Sequence, residues 1–182
     1  MSGGDTGAIA GILSLMVGGS SEAFLRASYV LSCLGSTIVH VGPVGSGQVV
    51  KAVNQIMVAG ILATLSGGMA LLEATEANIV PALDALSRGH AGSALLEAKA
   101  REMLSKNYDP GFKVGLHLKD LAIVIEFARS IGIALPVTGL VNQLLVRVEA
   151  SGGGGFDHCA IIESIRALSA DRRDLKQHPD KS

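Results

Sequence analysis

The chain has 182 residues, of which 48% are hydrophobic and 17% charged, with a formal net charge of −1 and a mean hydropathy of +0.44. That length and composition give one domain with a real core and exclude an intrinsically disordered chain. The near-zero charge offers no electrostatic basis for a nucleic-acid or anionic-membrane partner, and the start, Met1-Ser2-Gly3-Gly4-Asp5, lacks the basic and apolar regions of a secretory signal.

Residues 12–17 form a β-prone run ended by Gly18-Gly19. Ser20-Ser21-Glu22 suits the start of a helix running to about Leu34, and Gly35 suits the position past its end. Residues 37–41 make a second short strand, stopped by Gly42-Pro43, and the two strands are expected to pair. From Gln48 to about Thr75 no proline interrupts one long apolar helix, weakened only by Gly60, Gly67 and Gly68. Such a helix is expected at the centre, buried on several sides. Its most apolar run, 56–63, is too short to span a bilayer. Asn78 is expected to cap the next helix, with Pro81 in its first turn and an end near Gly89. Further helices are expected over 93–104, 115–131, 136–150 and 157–170. Gly152 to Gly155 reads as a flexible connection, and the charged, aperiodic stretch 171–182 as a frayed tail. The organisation predicted is a short β/α lead-in over 1–44, a helical domain over 45–170 and a flexible tail over 171–182.

The glycine-rich turn Gly42-Pro43-Val44-Gly45-Ser46-Gly47 opens the long helix, with Lys51 one turn in. Asn54 follows three residues later, so its amide shares a face with the ammonium. Val, Ala and Ile flank Lys51, and apolar surroundings can tune a lysine as a proton donor or acceptor; the plainer alternative is a solvated helix cation. Ser2-Gly3-Gly4 is a turn whose N–H groups suit a carboxylate, against the alternative of a disordered end. Lys119-Asp120 reads, on its own, as a solvated helix face. Gly45-Ser46-Gly47 begins like a dinucleotide fingerprint, but Val50 stands in the third glycine's place. No full βαβ unit or acidic residue about twenty positions on accompanies it. The histidines His40, His90, His117, His158 and His178 show no metal-ligand spacing. Cys33 and Cys159 lack a CxxC partner and are expected as two buried, reduced thiols of a cytosolic protein.

As an ordered set these segments resemble the β-hydroxyacid dehydrogenase family, over residues 2 to about 168. Ser2-Gly3-Gly4, with Gly11 to Gly19 behind it, is similar to the family's substrate-binding segment, and Gly42 to Gln55 to its catalytic segment. Gly111-Phe112 through Leu118-Lys119-Asp120-Leu121 is similar to its cofactor-proximal segment; Ala91-Gly92-Ser93 and Asp157-His158 are similar to its semialdehyde-reductase branch. The resemblance implies a mainly α fold: the C-terminal helical domain of the 6-phosphogluconate dehydrogenase-like type, with a long central helix, preceded by a short two-stranded β element. An N-terminal Rossmann domain is expected in the full-length protein and absent from this chain. The resemblance makes Lys51 the catalytic proton donor and acceptor. It assigns Ser2, Gly3, Gly4 and Asn54 to the substrate, Phe112 and Lys119 to the cofactor, and implies no metal. The cofactor implied is NAD or NADP, incompletely bound by this chain, in hydride transfer to a small 3-oxo acid. A related 3-hydroxyacid dehydrogenase and a non-catalytic oligomerisation module stand as alternatives. A small carboxylate substrate, a homo-oligomer and a cytoplasmic location complete the expectation, with no nucleic acid and no membrane. Gly67 departs from the family pattern, which commonly has an acidic residue there.

Overall fold

A computed structural model describes residues 1–175 of the chain, and side chains through 169. It divides into two compact units, Met1–Met57 and Val58–Ser182. In the first, α1 (Gly4–Ile9), β1 (Ser14–Gly18), α2 (Ser21–Ser32) and β2 (Thr37–Gly42) precede the opening turns of α3 (Ser46–Glu73). The strands pair as expected, and they do so in parallel, Ser14 opposite Thr37 and Val17 opposite His40. Parallel neighbours need a crossover, which α2 supplies, so β1–α2–β2 is a βαβ unit that the sequence reading did not expect. The start of α2 follows from local chemistry: the Ser20 hydroxyl accepts the Ala23 N–H at 3.1 Å.

None of the residues of α2 is buried. Leu25, Tyr29 and Val30 are exposed, and so is Cys33 at its C-terminal cap. This corrects the expectation of two buried thiols. One face of α2, with Phe24, Ala27 and Leu31 half-buried, packs on the strands, Phe24 stacking on His40 at 5.0 Å; among the described residues nothing covers the other. The short helix α1 was also unforeseen. Ser2 pairs antiparallel with Ser14 through two backbone bonds of 2.8 and 2.9 Å, and the chain turns directly into α1.

The glycine turn before α3 exists for close approach. A Cβ on Gly47 would stand 2.4 Å from the Met16 carbonyl oxygen, and one on Gly18 would stand 2.7 Å from that of Pro43. Only residues without side chains let α3 start against the end of β1. Packing uses these two glycines.

From Val58 α3 continues in the second unit, followed by α4 (Ile79–Ser87), α5 (Ala94–Ser105), α6 (Val114–Ser130), α7 (Pro136–Ala150) and α8 (Ile161–Leu175). The architecture is thus the mainly helical one expected, a long helix preceded by a two-stranded β element. Ser93 caps α5 by accepting the Leu96 N–H, and Pro136 opens α7 where a missing N–H costs nothing. Asn78 caps α4 by position only, since its side chain makes no capping bond. The glycine run is not slack: Gly153–Gly155 forms a 3₁₀ turn and Gly153 is buried. Its Cβ position lies 2.7 Å from a Val148 methyl. The helix α8 runs through 171–175, the first residues of the stretch expected to fray; the rest of that expectation, 176–182, lies outside the described residues.

The core of this unit joins Leu62 and Met69 of α3 to Met103, Leu121, Leu145 and Ile162. Leu121, Val124 and Ala128 repeat at helical spacing on α6, as do Val141, Leu145 and Val148 on α7. Arg166 braces the packing. It donates to Glu73 at 3.0 Å, to Glu163 at 2.7 Å and to the Met103 carbonyl at 3.0 Å. By length and composition α3 can cross a bilayer, with 28 residues and a mean hydropathy of 1.7 over an 18-residue window. The core helix of a soluble protein meets the same measure. Here Ala59, Leu62, Ser66 and Met69 are covered by protein, while Met57 and Leu71 are exposed.

Candidate active site

The opening turns of α3 carry Lys51, Asn54 and Gln55. Lys51 and Asn54 are half-buried, and Gln55 is buried. The Lys51 ammonium donates to Gln55 Oε1 at 2.7 Å, and Asn54 Nδ2 donates to the same oxygen at 3.0 Å. Gln55 follows Lys51 by four residues, so the two share a face. The sequence reading singled out Lys51 and Asn54 and gave Gln55 no role, although that spacing was the available signal. Burial lowers the pKa of the Met1 ammonium, and the neighbouring Lys51 charge lowers it further. The segment leading into Ser2 therefore lies within Coulombic reach of Lys51. The Ser2 N–H is bonded to the Ser14 carbonyl at 2.8 Å, so it is already engaged within the chain. Gly3 and Gly4 adopt φ of 132° and 60°, which favour glycine.

Phe112 and Lys119 belong to the second unit. Phe112 lies just before α6, its ring edge-on to His117 and His158 at centroid distances of 5.7 and 5.5 Å. Lys119, on α6, is exposed and pairs with Asp120 at 3.0 Å. Asp157 organises the turn before α6. Its Oδ2 accepts the N–H groups of Gly111 and Phe112 at 2.9 and 3.1 Å and the Lys99 ammonium at 3.0 Å. Its Oδ1 accepts the Cys159 N–H at 3.0 Å. Burial alone would raise this carboxyl, but the Cys159 N–H, His158, the Phe112 N–H and Lys99 outweigh it and hold it down at about 2. His158 is buried with its Nδ1 3.2 Å from that of His117, and burial pushes its imidazole down to about 4.

Glu102, Asp157 and Cys159 bring three potential ligand atoms within 4.8 Å of one another. The cation their carboxylates hold is the Lys99 ammonium, 2.7 Å from Glu102 and 3.0 Å from Asp157. Burial pushes the Cys159 thiol up, away from the thiolate that a metal needs. Lys99 escaped the sequence reading because its partner is 58 residues away.

Residues 45–165 match a family model described as the NAD-binding of NADP-dependent 3-hydroxyisobutyrate dehydrogenase. Residues 1–42 match that of the NAD binding domain of 6-phosphogluconate dehydrogenase, so the β1–α2–β2 unit carries the likeness to a nucleotide-binding domain. Over 169 residues the chain is 35% identical to the 2-hydroxy-3-oxopropionate reductase of Escherichia coli (strain K12), covering 93% of this chain and 58% of that protein. An uncharacterised oxidoreductase of Synechocystis sp. is 40% identical over 168 residues, 91% of this chain and 57% of that one. The crystal structure of 3-hydroxyisobutyrate dehydrogenase from Salmonella typhimurium matches with a TM-score of 0.81 at 25% identity, over 89% of this chain and 57% of that one. The chain spans somewhat more than half the length of the relatives it matches.

Proposed function

The chain belongs to the β-hydroxyacid dehydrogenase family, and on that premise we propose that it is part of an NAD(P)-dependent reductase interconverting tartronate semialdehyde (2-hydroxy-3-oxopropanoate) and glycerate. The observation that carries this reading is the half-buried Lys51 on the opening turns of α3, with Asn54 and Gln55 beside it. Its likeness to the Escherichia coli reductase supports the choice of substrate.

A nicotinamide cofactor, when bound, supplies or takes the hydride. As the carbonyl carbon is reduced, negative charge builds on its oxygen. Lys51 Nζ donates a proton to that oxygen, and takes it back in the oxidative direction. Asn54 holds a polar substituent of the substrate. Gly3 and Gly4, through their N–H groups, and Ser2, through its hydroxyl, hold the carboxylate. By the family resemblance, Phe112 and Lys119 would serve the cofactor. Within the Gly42–Gly47 turn, Gly47 is occupied by its contact with β1.

The test is a fusion in which the chain follows, in frame, the part of the Escherichia coli reductase that precedes its matching residues. With NADH or NADPH it is expected to reduce tartronate semialdehyde faster than 2-methyl-3-oxopropanoate. Equal or faster turnover of the 2-methyl compound would favour a 3-hydroxyisobutyrate or related 3-hydroxyacid dehydrogenase, the reading that the Salmonella structure supports. A folded fusion inactive on both would leave a non-catalytic helical module. A cytoplasmic location and self-association belong to the same proposal. Exposed Leu71, Ile123, Val137 and Leu140 support the latter, because monomers rarely leave much apolar surface bare. Sedimentation at tens of micromolar is expected to show a species larger than the monomer.

A further inference from the structure

We infer that Gln55 is a positioning residue: it fixes the Asn54 amide with its carbonyl outward, and so selects a substrate that carries a hydrogen-bond donor beside the reacting carbonyl. The inference rests on the reading of Lys51 and Asn54 as catalytic and substrate-binding. An ammonium can only donate, so the Gln55 atom 2.7 Å from Lys51 Nζ is the amide oxygen. That same oxygen lies 3.0 Å from the Asn54 amide. Two facing oxygens would repel, so Asn54 turns its Nδ2 inward and Oδ1 takes the other branch of the amide. One charge thus sets the orientation of two amides that could otherwise flip.

An outward Oδ1 is an acceptor. It complements a hydroxyl and repels a carboxylate. In a 2-hydroxy-3-oxo acid the C2 hydroxyl is adjacent to the aldehyde that Lys51 serves; a C2 methyl offers Asn54 nothing and leaves it desolvated without a partner. The chemistry also explains why glutamine suits this place. Gln55 is 4% exposed and accepts from both neighbours without adding charge. A glutamate would still accept from both and would place a carboxylate against the ammonium. A leucine would fill the space and leave the Asn54 amide free to turn over.

These two substitutions separate the roles in the fusion enzyme. Gln55→Leu is expected to lower the preference for the 2-hydroxy over the 2-methyl substrate, in kcat/KM, by about tenfold. Gln55→Glu is expected to keep that preference, and to move the alkaline limb of the reduction profile upward by about one pH unit as Lys51 holds its proton more firmly. A purely structural role moves neither quantity separately. In the 182-residue chain itself, ¹⁵N-lysine NMR follows the Lys51 Nζ titration without any turnover, and Gln55→Glu is expected to raise it. An unchanged preference in folded Gln55→Leu overturns the inference, as does an unmoved Nζ titration in Gln55→Glu. If the unmutated fusion shows no turnover, the catalytic reading fails by itself, and the NMR titration still decides the Lys51–Gln55 contact.

Discussion

Replacing Lys51 with alanine in the fusion enzyme is expected to lower turnover about 10²–10⁴-fold, the usual contribution of a positioned proton donor. kcat and kcat/KM should fall together, because the proton is shared only as charge develops on the carbonyl oxygen. Lys51 is half-buried and outside the apolar core, so the melting temperature should move little. Arginine should rescue poorly, since a guanidinium is wider and keeps its proton near neutral pH. Asn54→Ala should do less harm, losing orientation and not the proton. Near-normal turnover of a folded Lys51→Ala enzyme would reduce Lys51 to a helix cation bonded to Gln55.

Acidification is expected to weaken the second unit through His158. Its imidazole is held at about 4 by burial, against an ordinary 6.5. Above 6.5 both folded and unfolded chains carry it neutral, and its contribution is complete. Between 6.5 and about 4 the unfolded chain binds a proton that the folded chain refuses, so stability falls as pH falls. The whole interval is worth on the order of 3 kcal/mol. The opposing and reinforcing charges are close by: Asp157 favours protonation, while His117 and Lys99 disfavour it. A second loss follows below the ordinary carboxyl value of 3.8, as Asp157, held at about 2, gains its proton. Urea midpoints measured at half-unit steps of pH check both. A midpoint that stays level from 6.5 to 4.5 would rule out the burial account, and His158→Gln should flatten the upper slope and, because His158 helps hold Asp157 down, lessen the lower one.

What the sequence made legible was local. The Ser20 cap acts on an N–H three residues away, and Pro136 marks the start of α7 by its missing N–H. The shared face of Lys51 and Asn54 follows from helical period alone. The rest depends on residues far apart in the chain. Asp157 meets Gly111 and Lys99 across 46 and 58 residues, and a carboxylate does not announce such partners. Strand patterning showed that β1 and β2 exist; their parallel pairing depended on where α2 returned the chain. The exposure of Cys33 depended on whether anything covers the face of α2 turned away from the strands, which no periodicity encodes. The glycines at 153–155 read as slack, and became a packed turn only against Val148.

Gly47 has no functional group, yet it sets a distance. Lys51 stands four residues beyond it, about 6 Å further along the axis at 1.5 Å per residue. A methyl at Gly47 would meet the Met16 carbonyl oxygen at 2.4 Å, where comfortable contact begins near 3.5 Å. The helix would have to retreat from β1 by about an ångström, carrying the ammonium with it. Misplacement on that scale can cost about a hundredfold in rate. On the proposed role of Lys51, the end of a β-strand therefore works as a ruler that sets where the proton donor stands.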